Sequence, residues 1–221
     1  MKQQFAAKHP WTILAAGAAI QVLTGIPAAW GVFQQPVMDE YGLSEQGAGY
    51  AFGILIAAFG VGCVLGGFLQ DSRGPRCAAL WGTALLCGGF FAAAMLPGGS
   101  AGSFFLAFSI PAGLGTAFLY PSIQSCAQKW YAGRKGLATG VIGGAVGLSG
   151  AFLTVFVRTA VSGFGIVQGI RGAFWALGAI TLPVCLAGSL LLQDPPESKQ
   201  NQQGNGKNEI DLSPWQMLKT K

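Results

Sequence analysis

Charged residues are scarce in this chain: they make up 10% of its 221 residues, whereas a soluble domain averages about 25%. Hydrophobic residues make up 52%. The single histidine, His9, precedes a proline, and the five cysteines show neither C-x-x-C nor metal-ligand spacing. Because the cysteines lie in or beside apolar runs, we expect packing residues rather than a disulfide framework. The composition therefore argues against an ordinary soluble domain and predicts no metal site.

Patterns typical of enzymes are missing as well. The sequence shows no nucleophile–base set, no pair of catalytic carboxylates and no phosphate-binding loop, and no acidic residue lies clearly inside an apolar run. We therefore predict that the chain is not an enzyme and uses no cofactor.

Long apolar runs are abundant instead. Six of them are long enough to cross a hydrocarbon core of about 30 Å. They lie near 11–37, 47–69, 77–96, 103–127, 136–157 and 172–192. The first is too long for a signal peptide, so we expect it to be retained as a membrane helix. Short linkers make successive helices antiparallel, and the 35 glycines indicate close helix contacts.

The predicted fold is therefore an all-α, six-helix membrane bundle. We expect a cytoplasmic amino terminus at 1–10, the transmembrane bundle at 11–193 and a polar cytoplasmic linker at 194–221. The linker prediction depends on its polar composition and on its Pro-Pro and Gly-Asn-Gly runs.

The basic residues predict the orientation of the bundle. Eleven of the 13 fall on the side of the two termini and the second and fourth loops. They are Lys2, Lys8, Arg73, Arg76, Lys129, Arg134, Lys135, Lys199, Lys207, Lys219 and Lys221. Basic loops stay in the cytoplasm, so we expect both termini there, in the plasma or cytoplasmic membrane. The net charge of +5 is then a topology signal and does not indicate a nucleic-acid partner.

The second loop, residues 67–76, has the sequence GFLQDSRGPR. The pattern G-x-L-x-D-x-x-G-x-R resembles the loop between helices 2 and 3 of the major facilitator superfamily of secondary transporters; the alternative is an ordinary basic loop. In that family the loop couples the two halves of the fold and does not bind substrate. The resemblance implies a conformational latch, in which Asp71 pairs with Arg73 or Arg76, Gly67 allows close helix contact and Gly74 makes the turn.

Residues 129–150, KWYAGRKGLATGVIGGAVGLSG, place a basic loop before a glycine-rich helix. Spaced as GxxxG, glycines allow backbones to approach, although a tightly packed structural helix explains them equally. The stretch resembles the helix 4–5 region of the oxalate/formate antiporter family and of related monocarboxylate transporters. The residues that carry this resemblance are Trp130, Arg134, Lys135, Gly136, Gly140 and Gly144.

The resemblance implies a transporter of small organic anions, such as oxalate, formate or monocarboxylates, working by alternating access. The family fold has twelve helices with substrate between two halves. This sequence matches the amino-terminal half, so the implied partners are the lipid bilayer, the anion and a second six-helix half. In the oxalate/formate group the cationic anchors lie in that second half.

Polar residues inside the apolar runs must then face a cavity or each other, because burying them in lipid is costly. Our candidates for the substrate path are neutral, and interhelical hydrogen bonding is the alternative role for each. They are Gln21, Thr24, Trp30, Gln34, Tyr120 and Gln124. Gln21, Thr24 and a residue near 28 share a helix face. Pro27 and Pro121 remove helix hydrogen bonds and can bend their helices.

Two further interpretations stay open. The chain can be a truncated or stand-alone membrane protein with a structural or regulatory role and no transport of its own. It can also be a homodimer of halves, which a two-fold dimer in mild detergent would reveal.

Overall fold

The structure is a computed structural model that describes residues 10–99, 101–163, 169–193 and 195. Nearly all of the predicted terminal segments at 1–10 and 194–221 lies outside those residues. The helices are α1 Pro10–Thr24, α2 Ile26–Tyr41, α3 Glu45–Arg73, α4 Pro75–Met95, α5 Ala101–Phe104, α6 Ile110–Trp130, α7 Lys135–Gly163 and α8 Gly169–Leu191. A π-helical turn, Phe105–Ser109, joins α5 to α6, and a 3₁₀ turn, Ala132–Arg134, precedes α7.

Six helical stretches in the described ranges are long and apolar enough to span a membrane. They are Pro10–Tyr41, Glu45–Arg73, Pro75–Met95, Ala101–Trp130, Ala132–Thr159 and Gly169–Leu191, called spans 1 to 6. The all-helical fold class and the six-helix architecture predicted from the apolar runs are confirmed.

Span 1 is broken in its middle. Gly25 leaves the helical conformation, and Pro27, the second residue of α2, has no N–H to donate to α1. The Ala28 N–H instead bonds the Gly25 carbonyl over 3.0 Å, which closes a tight turn between the two half-helices. The sequence predicted one continuous segment with a possible bend at Pro27. The helix is instead interrupted two residues earlier, at Gly25.

Small residues let α6 pack closely against two neighbours. A Cβ atom built on Gly115 would lie 2.5 Å from the Leu86 nitrogen and 2.8 Å from the Gly82 carbonyl oxygen, both on α4. On α3, a Cβ on Gly62 would lie 2.6 Å from the Ala117 Cβ. The backbones of α3, α6 and α4 therefore approach one another without intervening side chains.

Stacked aromatic rings fill the bundle towards the end where α2 and α4 terminate. Phe33 and Phe174 stack with ring centroids 5.9 Å apart, and Phe108 lies 4.9 Å from Phe174. The Tyr41 hydroxyl donates to the Ala93 carbonyl over 2.7 Å. This aromatic core closes the described bundle at the end that the charge pattern predicts to be extracellular. Its members are Trp30, Phe33, Tyr41, Phe90, Phe104, Phe108 and Phe174.

Two sets of close contacts expected at glycines are not made within the described bundle. No heavy atom lies within 4 Å of a Cβ placed on Gly67, so close contact on α3 is made at Gly62 and Gly66 instead. A Cβ on Gly140 or Gly144 meets nothing within 4 Å either. The same is true of Gly136, Gly143 and Gly147. The glycine spacing on α7 therefore marks an open helix face and not a contact inside this bundle.

Candidate functional site

The break in span 1 borders a cavity of about 310 Å³ between α1, α2, α3, α6 and α7. We call it the central cavity. Its lining residues are Gln21, Thr24, Gly25, Pro27, Ala28, Ile56, Phe59, Thr116, Tyr120 and Val146.

The broken backbone at Gly25 is held from α7. The Ser149 hydroxyl lies 3.2 Å from the Gly25 carbonyl oxygen and 2.5 Å from the Val146 carbonyl oxygen, so it can donate to either. A Cβ atom on Gly25 would collide with the Ser149 side chain. Glycine is therefore needed at this position for the close approach of α7, which contributes Val146 to the cavity wall.

Gln21 and Thr24 line the cavity from the last turn of α1. Both side chains are buried, at 1% and 0% exposure. The Thr24 hydroxyl donates to the Gln21 Oε1 over 3.4 Å. Among the described residues, the Gln21 Nε2 has no hydrogen-bond partner. A buried donor without a partner costs about 1–3 kcal/mol, so a hydrogen bond from this amide to a ligand would be favourable.

The opposite wall comes from α6. Tyr120 is half-buried, and its ring centroid lies 6.4 Å from that of Phe59 on α3. One turn earlier, the Thr116 hydroxyl donates to the Ala112 carbonyl over 2.7 Å, which leaves its oxygen lone pairs as acceptors. The sequence pattern identified Tyr120 and missed Thr116. The four-residue spacing to Tyr120 is the signal that places both on one face.

Three of the predicted path residues are not brought to the central cavity. Trp30 is 6% exposed and stacks on Phe52 and Phe108, at centroid distances of 5.9 and 6.4 Å. It therefore belongs to the aromatic core and is not a cavity wall. Gln34 is half-buried on α2. The Gln124 Oε1 is buried without a hydrogen-bond partner among the described residues.

The second loop predicted from the sequence, residues 67–76, is mostly helical, and only Gly74 lies between the two helices. α3 ends at Arg73, α4 begins at Pro75, and Gly74 between them has φ +89° and ψ 164°. Asp71 and Arg73 are exposed, and within the described chain no ion pair joins Asp71 to Arg73 or Arg76. The expected pairing is absent from this conformation, and the latch role of the loop stays a prediction.

The fourth loop joins three segments at one point. Trp130 ends α6, and its indole Nε1–H donates to the Gln193 carbonyl, two residues beyond α8, over 2.6 Å. Arg134 lies in the 3₁₀ turn and Lys135 begins α7. A second cavity of about 300 Å³, which we call the basic cavity, opens here. Its lining residues are Ser125, Gln128, Lys129, Ala132 and Lys135.

Within the residues described here, no group of three or more histidine, cysteine, aspartate and glutamate side chains is placed to hold a metal ion.

A family model described as Major Facilitator Superfamily matches residues 13–221. The chain belongs to the major facilitator superfamily. It is an integral membrane protein of a transporter family and not an enzyme, and its six spans are consistent with half of the superfamily fold.

Three known proteins show what this superfamily chain is similar to. It is 30% identical over 183 residues to an uncharacterized 38 kDa protein in a 23S RNA operon of Thermoproteus tenax, covering 82% of this chain and 46% of that one. It is 24% identical to the oxalate:formate antiporter of Oxalobacter formigenes, covering 72% and 36%. It is 29% identical to monocarboxylate transporter 9 of mouse, covering 82% and 35%.

A solved structure supports the same fold. The crystal structure of a mutant of the peptide transporter POT in complex with sulfate superposes with a TM-score of 0.63 at 23% identity, covering 88% of this chain and 42% of that one. The chain therefore spans less than half the length of each of these relatives. The resemblance to the major facilitator superfamily predicted from the two loops is confirmed. An oxalate:formate antiporter and a monocarboxylate transporter are among the distant relatives.

Proposed function

We propose that this chain is the amino-terminal half of a secondary transporter that moves small organic anions, such as oxalate, formate or monocarboxylates, by alternating access. The substrate would occupy the central cavity against α1 and α6, with a second six-helix half on its other side. Both termini would lie in the cytoplasm.

One observation carries this proposal: Gln21 lines the central cavity, and its buried Nε2 lacks a hydrogen-bond partner among the described residues. A carboxylate accepts hydrogen bonds and would satisfy that donor. The Tyr120 hydroxyl can donate from the facing wall. A bond from such a donor to a charged group contributes about 1.5–3 kcal/mol, which is enough to orient a small anion.

The charge of the cavity indicates what a second half would contribute. None of its lining residues is charged, and a carboxylate moved from water into such a wall loses several kcal/mol of hydration. Neutral donors offset only part of that loss. We therefore assign the balancing cation to a second half, as the resemblance to the oxalate/formate group implies.

Two spans offer a surface for that half. In the most apolar stretch of each span, only 17% of the residues of span 2 and 22% of span 5 are buried, against 39–56% in the other four. The open glycine face of α7, at Gly136, Gly140, Gly143, Gly144 and Gly147, would let a partner helix approach its backbone. Contact with lipid alone gives no reason for that row of small residues.

Counterflow of labelled oxalate, formate and lactate into liposomes that carry the 221-residue chain tests the proposal. Because the balancing cation is assigned to a second half, we expect uptake by the chain alone to exceed that of empty liposomes only weakly. It should fall at least about tenfold in Gln21→Leu, the equivalent of the bond energy above. Gln35→Leu is the matched control, because Gln35 is exposed on α2 and lies outside the cavity.

Gel filtration and circular dichroism establish that each variant is folded. An equal fall in both variants would remove the role of Gln21. An absence of uptake from folded wild-type protein would contradict transport by this chain alone. It would favour the alternative, a truncated or stand-alone membrane protein with a structural or regulatory role, which the coverage of less than half of its relatives also fits.

A further inference from the structure

Spans 2 and 5 both border the central cavity, and each carries a row of glycines with open space at the Cβ position. On α3 these glycines are Gly49, Gly53, Gly60 and Gly67, which we call the span 2 face. On α7 they are Gly136, Gly140, Gly143, Gly144 and Gly147, which we call the span 5 face. Rows of this kind let another helix approach the backbone but do not identify that helix.

The ends of the two faces carry opposite charges. Glu45 begins α3, Asp71 lies in the last turn of α3, and both are exposed. Arg134 lies just before α7, Arg158 lies near the other end of α7, and both are exposed as well. None of these four side chains forms an ion pair with another described residue. Span 2 therefore has an unpaired acid at each end, and span 5 has an unpaired base at each end.

Helical spacing places these charges on the glycine faces. Asp71 follows Gly53 by 18 residues, which is five full turns, so the two lie in line along α3. Arg73 is exposed too, but at two residues further it lies on the other side of the helix. On α7, Arg158 follows Gly140 by the same 18 residues. Each face thus ends in a charge of its own sign.

One register matches the glycines and the charges of the two faces together. If α3 packs antiparallel to an α7 helix with Glu45 beside Arg158, the remaining pairs follow, because both helices rise by about 1.5 Å per residue. The glycines brought together are Gly60 with Gly143 and Gly67 with Gly136. Asp71 then falls beside residue 132, within two residues of Arg134. Both ends of the contact join opposite charges while small residues face each other between them.

We propose that a second copy of this chain covers both faces, with span 2 of each copy packed against span 5 of the other. A two-fold axis makes this contact twice, so that every acid and base of the two faces finds a partner. Acyl chains of lipid would match the open glycines but would leave the charges unpaired. The sequence of the chain itself supplies the complementary face.

This inference rests on the proposed function and deepens it, since it names the molecule that occupies the place of the second half when the chain is alone. The copy would close the central cavity with a wall of the same kind. None of the residues that line that wall is charged. A pair of identical copies therefore lacks the balancing cation, which agrees with the weak uptake expected of the chain alone.

Disulfide cross-linking between two copies tests the contact directly. Two differently tagged 221-residue chains without native cysteines, one with Glu45→Cys and the other with Arg158→Cys, are reconstituted together in phosphatidylcholine vesicles. A mild oxidant should join them into a covalent dimer, while the reciprocal ion pair of the dimer stays intact. Trp175→Cys combined with Arg158→Cys is the matched control, because Trp175 is 50% exposed but lies on α8, and should give no covalent dimer.

Charge reversal tests whether the ends of the faces pair as assigned. Energy transfer between labelled chains, measured as lipid is added, gives the dissociation constant of the dimer. Glu45→Arg or Arg158→Glu alone should raise that constant about tenfold, since two ion pairs are lost in each dimer. The double variant should return it close to the wild-type value. Asp39→Arg changes an exposed acid outside both faces and should leave it unchanged.

A bulky residue in the glycine row tests the close approach of the helices. Gly140→Leu should weaken the dimer without unfolding the copy, because its Cβ position is open within the bundle. Gly88→Leu is the matched control, since Gly88 is equally open but lies on α4. Equal dissociation constants in these two variants would contradict packing of another helix on the span 5 face.

The outcomes separate this inference from the proposed function. A folded chain that stays monomeric in vesicles would overturn the dimer, and uptake by that monomer would leave the transport proposal standing. A dimer with the expected cross-link but without uptake would support the inference and contradict transport by this chain alone. Cross-linking of the Trp175→Cys control to the same extent would indicate random collision. Failure of the double charge reversal to restore the dimer would overturn the assigned pairing.

Discussion

Individual glycines in this bundle differ sharply in their surroundings, and the sequence alone does not distinguish them. Gly115 on α6 faces backbone atoms of α4, and a Cβ there would lie within 2.8 Å of three of them. Gly144 on α7 has nothing within 4 Å of its Cβ position. The first position requires a hydrogen atom as side chain, and the second does not within this bundle.

Gly115→Ala should therefore destabilise the bundle by about 1–3 kcal/mol, the usual cost of overpacking. Gly144→Ala, in the same type of helix, should be neutral or slightly stabilising, because alanine favours the helix by about 0.8–1 kcal/mol over glycine. Apparent Tm values of the two variants in detergent measure the difference. Equal Tm values would contradict the close approach of α6 and α4.

The candidate site could be predicted only in part. Helical spacing places Gln21, Thr24 and residue 28 on one face, and all three line the central cavity. The same spacing cannot tell whether an aromatic ring packs in the core or faces a cavity, because either environment accepts it. Trp30 is the example: its neighbours Phe52 and Phe108 come from other spans and decide its position.

At the scale of elements, the junction between α3 and α4 depends on one backbone conformation. Gly74 occupies φ +89° and ψ 164°, a region that only glycine adopts readily. Pro75 then starts α4 with its fixed φ and without an N–H that would need a partner. The two long helices can therefore reverse direction over one residue.

Gly74→Ala should cost about 1–3 kcal/mol through backbone strain. Gly67→Ala, two turns earlier on α3, is the matched control, because its Cβ would meet nothing within 4 Å. Thermal unfolding in detergent should show a lower Tm for the first variant and no decrease for the second. A similar decrease in both would show that the strain is not confined to the junction.

Helix existence was predictable, and the interruption of span 1 only in part, as a bend at Pro27. Apolar length is a property of local sequence, so all six spans were expected from it. The Gly25 carbonyl accepts a hydrogen bond from the Ser149 side chain of α7, which is 124 residues away. No local pattern carries that information. Whether other helices cover the glycine face of α7 likewise depends on tertiary packing and not on local sequence.

For the whole molecule, the distribution of charge predicts a fixed orientation in the membrane. Eleven of 13 basic residues lie on one side. In that orientation the aromatic core would close the extracellular end, and the basic cavity would face the cytoplasm. Gln46 and Ser72 are exposed at opposite ends of α3. The 26 residues that separate them correspond to about 39 Å of helix, which exceeds the hydrocarbon thickness.

Single cysteines at these positions report the orientation. In a background without the five native cysteines, Gln46→Cys should react with a membrane-impermeant maleimide in intact cells. Ser72→Cys should react only after permeabilisation, because the basic side is retained in the cytoplasm. Labelling of both variants after permeabilisation is the control for reactivity. The reverse pattern in intact cells would contradict the assigned orientation.

The π-helical turn Phe105–Ser109 has a consequence for the history of the chain. Such a turn holds one residue more than an α-helix needs, so a single insertion would produce it. Related chains that lack it should align here with a gap of one position. Deleting Leu106, which is 69% exposed, would restore a regular helix and rotate the preceding part of the span by about 100° relative to α6. Phe104 would leave the aromatic core, while Thr116 and Tyr120 would keep their places. The sequences of the two ends of this span can therefore change independently, by insertion as well as by substitution.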